Sequence, residues 1–333
     1  MLKEAKYALA VLLLLAGITT ARAEPLELKV SHYLPPNHTI HKWLEDWAQD
    51  LDTRSAGQIK LHIYPASQLG PVNRQFDLAR NGQADMAVGL TGATPGRYPM
   101  TEIAALPFVF PKEGNTSAIA SKRMTELAPK YLTPEYPGLH VLWVGITPPN
   151  TILTARHEID TLADLRGLKI RFAGEQHAKV LRALGAVPLQ VPPGEIADGM
   201  AKGVIDGAVF NYEAAESFGL STVTQHAVEP SFIAGTLVLV MNQAKYDALP
   251  PDLRALIDST TSPKAAEQLG VRWDVAQQHG RDVMVAAKVG INTLAPAEVD
   301  KLKTVLTPLV QEDVDALDKA GKPASQLLQD YTR

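Results

Sequence analysis

Ala79-Arg80-Asn81-Gly82-Gln83-Ala84-Asp85 runs into the apolar stretch Met86 to Leu90, and the pattern returns as Met200-Ala201-Lys202-Gly203-Val204-Ile205-Asp206 running into Gly207 to Phe210. Each copy predicts the end of a helix, a capping glycine, two residues, an aspartate and a buried strand. Glycine after a helix supplies the left-handed residue that closes its last turn. A strand that is apolar at nearly every position belongs in a parallel sheet covered on both faces.

Upstream of each junction lies the same order of elements. Leu26 to Tyr33 alternates as a strand, with Leu26, Leu28 and Val30 on one face. A helix follows to about Arg54, capped by Asn37 or Thr39, with Ile40, Trp43, Leu44, Trp47 and Leu51 as its apolar stripe. Ile59, Leu61 and Ile63 mark a second strand, Asn73 to Arg80 a short helix, and Met86 to Leu90 a third strand. In the second copy, Leu168 to Phe172, Val187 to Val191 and Ile205 to Phe210 read as strands, and Glu175 to Leu184 and Glu195 to Lys202 as helices. Two β-α-β-α-β units predict an α/β fold of two lobes, each a doubly wound sheet.

The remaining segments read as links. Leu139 to Gly145 is a strand before Pro148-Pro149, Thr236 to Met241 is a β-branched run expected to cross between lobes, Lys264 to Lys288 is one long helix, and Pro296 to Ala320 is a final helix containing Pro308. The expected division is residues 24–148 plus about 237–276 for the first lobe, and 149–236 plus about 277–333 for the second. Several crossings between two lobes make a hinge.

The chain has 333 residues, 46% hydrophobic and 20% charged, which suits one or two globular domains. A net charge of −4 with no basic block argues against nucleic acid as a partner. Cysteine is absent, which excludes disulfides, thiolate metal sites and cysteine nucleophiles. Lys3 and Lys6, the apolar run Ala8 to Ile18 and Ala21-Arg22-Ala23 together have the form of an export leader cleaved after Ala23. Losing Lys3, Glu4, Lys6 and Arg22 takes the charge from −4 to −6.

Signatures of catalysis are missing: there is no G-x-S-x-G, H-E-x-x-H or Walker loop. Gly89 to Gly96 follows a strand but lacks the G-x-G-x-x-G spacing, and Pro95 would interrupt a following helix. His32, His38 and His41 lie close in sequence, with Glu45 one turn beyond His41. They read as polar residues around a loop and helix start in preference to a metal site or a ligand contact, and no metal or cofactor is expected.

Several motifs resemble the solute-binding proteins of tripartite ATP-independent periplasmic (TRAP) transporters, the DctP-like family. Asp164-Leu165-Arg166-Gly167-Leu168-Lys169-Ile170-Arg171-Phe172 is similar to that family's D-L-[KR]-G-L-K-I-R. Gly203-Val204-Ile205-Asp206-Gly207, Leu106-Pro107-Phe108, Tyr64 to Gly70 and Met241-Asn242 also match. The similarity runs from about Leu26 to Lys319. It implies a periplasmic, non-enzymatic protein that holds an organic carboxylate between two lobes and hands it to membrane permease subunits driven by an ion gradient. A monomer is expected. A ligand sensor for a receptor, or an enzyme on the same fold, are the alternatives.

The resemblance makes Arg171 the ligand-carboxylate residue. The chemistry agrees, because a guanidinium holds a carboxylate through two parallel hydrogen bonds, and Arg171 ends a strand where open α/β sheets place ligands. Sialic-acid-type members carry a second arginine where this chain has Asn150, and an asparagine where it has Phe210, with Asn211 one residue late. The departures point to an apolar, in particular aromatic, monocarboxylate. Tyr212 and Phe232 are further candidate walls. His32, Tyr33, Thr91 and Gly92, at strand ends of the first lobe, are expected to face the cleft. Arg97 either adds a second cation or braces its loop.

Overall fold

The computed structural model describes residues 24–333. The expected leader and its cleavage site lie outside the described residues. The first lobe opens with β1 (Leu26–His32), α1 (Thr39–Arg54), β2 (Ile59–Tyr64), α2 (Gln75–Arg80), β3 (Met86–Leu90), α3 (Ser117–Tyr131) and β4 (Leu139–Ile146). The second holds β5 (Thr151–Thr154), β6 (Lys169–Phe172), α4 (Glu175–Ala183), β7 (Val187–Gln190), α5 (Ile196–Ala201), β8 (Gly207–Phe210), α6 (Tyr212–Ser217) and β9 (His226–Glu229). The chain returns to the first lobe for β10 (Thr236–Asn242), α7 (Gln243–Asp247) and α8 (Pro251–Thr260). Helix α9 (Pro263–Ala286) then crosses to β11 (Gly290–Thr293), and α10 (Pro296–Lys319) and α11 (Ala324–Thr332) close the chain.

The two sheets have the orders β2-β1-β3-β10-β4 and β11-β9-β5-β8-β6-β7. Strand β1 is parallel to β2 and β3, and β6 to β7 and β8, as the two units require. One antiparallel strand enters each sheet beside its third parallel strand: β10 beside β3, and β5 beside β8. These are the strands that follow the crossings.

The repeated junction is repeated in atoms. Gly82 and Gly203 take left-handed backbone at φ 71° and 72°. Asp85 accepts the Lys29 N–H on its carboxylate at 2.8 Å and donates its own N–H to the Lys29 carbonyl at 2.9 Å. Asp206 does the same with Lys169, at 2.7 Å for both bonds. The aspartate of G-x-x-D thus pins the third strand to the first in each lobe.

Strand β10 shows why it is apolar throughout. Leu237, Leu239 and Met241 join Leu44, Trp47 and Trp273 on one face of the sheet, and Val238 and Val240 join Phe76, Met124 and Tyr131 on the other. All of Thr236–Asn242 lies within the first sheet, so the crossing is made by residues 230–235 rather than by the β-branched run. Those residues pair with the other crossing segment. Thr147 N–H donates to Gly235 O at 2.9 Å and Asn150 N–H to Ile233 O at 2.6 Å.

Helix α9 packs on both lobes through glycines. A side chain on Gly270 would lie 2.4 Å from the Ala118 backbone of α3, and one on Gly280 would lie 2.4 Å from the Tyr212 carbonyl of α6. The C-terminal division differs from expectation. Leu302 and Leu306 of α10 join the second lobe's core, but Val314, Ala324, Leu327 and Tyr331 pack with Met124, Ala128 and Tyr131 of the first. The apolar stripe of α11 has its complement on α3, so the chain ends on the first lobe. The helix cap also differs: His38 caps α1, accepting the Ile40 N–H at 3.1 Å. Among the described residues no helix is long and apolar enough to cross a membrane.

Candidate functional site

Between the lobes lies a small, mostly apolar chamber of about 40 Å³. A water needs about 10–15 Å³ by this measure, so there is space for about three. The second lobe contributes Arg171, Ala173, Pro193, Val209, Phe210, Asn211, Ala214 and Phe218. The first supplies Tyr33, Leu34, His38, Leu90 and Leu237, the crossings Thr147, Asn150 and Gly235, and the bridging helix Trp273. A larger outer groove of about 980 Å³ adjoins it, with Asn73, Gln190 and Glu195 on its walls.

Arg171 is the charged group of the chamber. It stands near the end of β6, where Ile170 is buried in the second lobe's core, and its own side chain is 2% exposed. Its Nε donates to the Val191 carbonyl at 3.1 Å, and its guanidinium lies over the Phe210 ring, 5.1 Å from the centroid. Nη1 is buried without a partner, and no carboxylate pairs with Arg171 among the described residues. Burial lowers its pKa to about 10, which leaves it charged at neutral pH. An unpaired buried guanidinium N–H is costly to the protein alone and becomes an asset when an anion fills the space.

Most of the other polar wall groups are committed. His38 accepts the Ile40 N–H on Nδ1, so Nε2 carries the proton toward Glu213, 3.3 Å away. Burial pushes the His38 pKa down, so the ring stays neutral. Asn211 caps α6, its side-chain oxygen accepting the Ala214 N–H at 2.7 Å. Thr147 Oγ1 accepts the Gly235 N–H at 2.9 Å. The Asn150 side chain makes no hydrogen bond among the described residues and lines the chamber.

Five of the expected residues therefore line the chamber: Arg171, Asn150, Phe210, Asn211 and Tyr33. The others do not, each for a local reason. Arg97 is held by both oxygens of Asp77, at 2.6 and 3.1 Å, and braces its loop away from the chamber. Tyr212 turns into the core, its hydroxyl donating to Glu229 at 3.1 Å. Phe232 packs on Phe108 at 5.9 Å. Thr91 bonds Glu102 and Thr236 inside the first lobe. Gly92 lies against Ala173 and Gly174 of the other lobe.

His32 is wholly buried and joins a relay. It accepts the Leu34 N–H on Nδ1, its Nε2 faces His41 Nδ1 at 3.0 Å, and His41 Nε2 faces Glu45 at 3.3 Å. Burial, with His41 and His38 nearby, lowers the His32 pKa to about 3. The described residues contain no group of three or more potential metal ligands.

Sequence reasoning missed Phe218, Trp273, His38, Leu34 and Thr147. Trp273 is 36 or more residues from every other wall residue, and no local pattern marks it. Phe218 carried one usable signal: it is an aromatic at the end of the short helix that follows the β8 strand end.

Residues 30–315 match the bacterial extracellular solute-binding protein family 7, DctP. A solute-binding protein of Chromohalobacter salexigens is 25% identical over 314 residues, 91% of this chain and 90% of its own. The 2,3-diketo-L-gulonate-binding periplasmic protein YiaO of Escherichia coli is 26% identical, over 74% of this chain and 75% of its own. Among solved structures, a TRAP solute-binding protein of Rhodoferax ferrireducens in complex with copurified benzoate superposes with a TM-score of 0.86 at 29% identity, covering 92% of this chain and 96% of its own. One of Bordetella bronchiseptica with bound (R)- and (S)-mandelate gives 0.85 at 26%, covering 92% and 98%. These are transport proteins rather than enzymes. With both lobes, the crossings and the family match in place, the chain belongs to the DctP family of TRAP-type solute-binding proteins.

Proposed function

We propose that this protein captures an aromatic or other apolar monocarboxylate in the chamber between its lobes and delivers it, as a periplasmic monomer, to a TRAP-type permease. The observation that carries this is Arg171, a buried guanidinium with an unpaired N–H, lying over Phe210 at the edge of a mostly apolar chamber. One cation and apolar walls favour one carboxylate on an apolar body. A dicarboxylate would need a second buried cation, yet Arg97 is committed to Asp77 elsewhere and His38 is neutral. A sugar acid would leave hydroxyls against Leu34, Leu90, Val209 and Leu237, at about 1–3 kcal/mol per unsatisfied group.

The similar structures that carry benzoate, 3-hydroxybenzoate and mandelate, at 26–29% identity, support the same class. A thermal-shift screen of carboxylates tests the reading, since a ligand at 100 times its Kd adds about 2.7 kcal/mol of stability. Benzoate and mandelate are expected to raise Tm more than succinate or glucuronate.

A further inference from the structure

The chamber and the outer groove share six wall residues, Tyr33, Leu90, Arg171, Ala173, Pro193 and Phe218, which form a neck between the two spaces. We infer that Phe218 is the residue of this neck that sets the upper size limit of the ligand, by walling the small chamber off from the groove. The inference rests on the monocarboxylate reading above.

Its surroundings single it out. Arg171 is already the anion anchor, Ala173 and Pro193 are small, Leu90 belongs to the buried β3 strand, and Tyr33, large and half-buried as well, packs against the first lobe's core and not the second's. Phe218 is large and only half-buried. It ends α6, where its N–H bonds the Ala214 carbonyl at 2.9 Å, and Gly219 with φ 74° then turns the chain away.

The ring reaches across the cleft. It packs against the apolar cores of both lobes, meets Phe210 edge-on at 5.7 Å and meets His38 edge-on at 6.4 Å. It carries no polar atom, so its truncation leaves no buried group unpaired. What truncation does is open a chamber of about 40 Å³ toward a groove of about 980 Å³.

The test is calorimetric binding of benzoate and of 4-butylbenzoate to the unmodified protein and to Phe218→Ala and Phe218→Leu. The unmodified protein is expected to favour benzoate at least tenfold. Phe218→Ala is expected to cut or reverse that preference by tenfold or more, and Phe218→Leu to fall between. A preference unchanged in both variants, with both ligands weakened alike, would make Phe218 a mere packing residue and overturn the inference. Equal affinity of the unmodified protein for the two acids would also overturn it, whereas failure of the unmodified protein to bind either acid would instead overturn the ligand reading beneath it.

Discussion

Trp273 on the bridging helix donates its indole N–H to Glu213 Oε2 of the second lobe at 2.9 Å. The same carboxylate accepts from the first lobe: Thr39 N–H at 3.0 Å and Thr39 hydroxyl at 2.8 Å on Oε1, with His38 Nε2 at 3.3 Å from Oε2. Burial pushes the Glu213 carboxyl up, but His38 and the bonds from Thr39 and Trp273 hold it below its ordinary value. One buried charge therefore ties both lobes and the bridging helix together, and His38 and Trp273 are themselves walls of the chamber.

Glu213→Gln removes the charge and turns an amide N–H₂ toward either the Trp273 indole N–H or the Thr39 N–H, neither of which can accept. Hydrogen bonds to a charged group contribute about 1.5–3 kcal/mol each, so closure should weaken. The expected result is a Kd raised tenfold or more, mainly through a faster dissociation rate, because the latch acts after encounter. Stopped-flow dissociation of benzoate checks this, and an unchanged rate would remove Glu213 from closure.

Gly92 tests the closed geometry separately. A Cβ there would lie 2.5 Å from the Ala173 carbonyl oxygen and 2.7 Å from Gly174 Cα, both on the opposite lobe. Gly92→Ala should therefore oppose closure without disturbing the first lobe's core. Affinity is expected to fall at least tenfold while Tm without ligand stays within about 2 °C, a shift well below 1 kcal/mol. Unchanged affinity would mean that the lobes do not need this contact.

His177 gives a pH dependence with a definite sign. It is buried on α4, with Nε2 at 2.8 Å from the Ala234 carbonyl of the crossing segment and Nδ1 unpartnered. Burial lowers its pKa from 6.5 to about 4. The folded state keeps the ring neutral, so its contribution is intact above pH 6.5 and is lost as pH falls from 6.5 toward 4. Between pH 7 and pH 5 the unmodified protein should lose about 2 kcal/mol more than His177→Gln, at about 1.4 kcal/mol per pH unit. Urea unfolding at the two pH values checks this, and parallel losses would contradict it.

Where the sequence was legible, the physics was local. The G-x-x-D junctions need only a helix end, a left-handed glycine and an aspartate within reach of the neighbouring strand, all set by adjacent residues. Arg171, Phe210 and Asn150 are named through the family resemblance, and for Arg171 the strand-end position agrees independently. Arg97 stays open between a second cation and a loop brace in the sequence because its partner, Asp77, sits on a helix 20 residues earlier, and a cation looks free until its carboxylate is found. Phe218 and Trp273 were hidden because a chamber between lobes is assembled by closure, and no periodicity records which helix end meets it. In the sequence the final helix reads as ending at Ala320, with no helix beyond it, and that Ala324, Leu327 and Tyr331 pack on the first lobe's core depends on partners about 200 residues away.

The central claim is that Arg171 holds a single carboxylate beside apolar walls. Arg171→Ala should cost about 2–5 kcal/mol of binding, and Arg171→Lys should also bind weakly, since it keeps the charge but loses the planar fork. The most direct measurement is calorimetry on the unliganded protein with benzoate, mandelate, succinate and N-acetylneuraminate, repeated on Arg171→Ala. The account predicts that an aromatic monocarboxylate binds most tightly and that Arg171→Ala removes most of that affinity. Tighter binding of succinate or N-acetylneuraminate than of either aromatic acid, or near-unmodified affinity in Arg171→Ala, would contradict it.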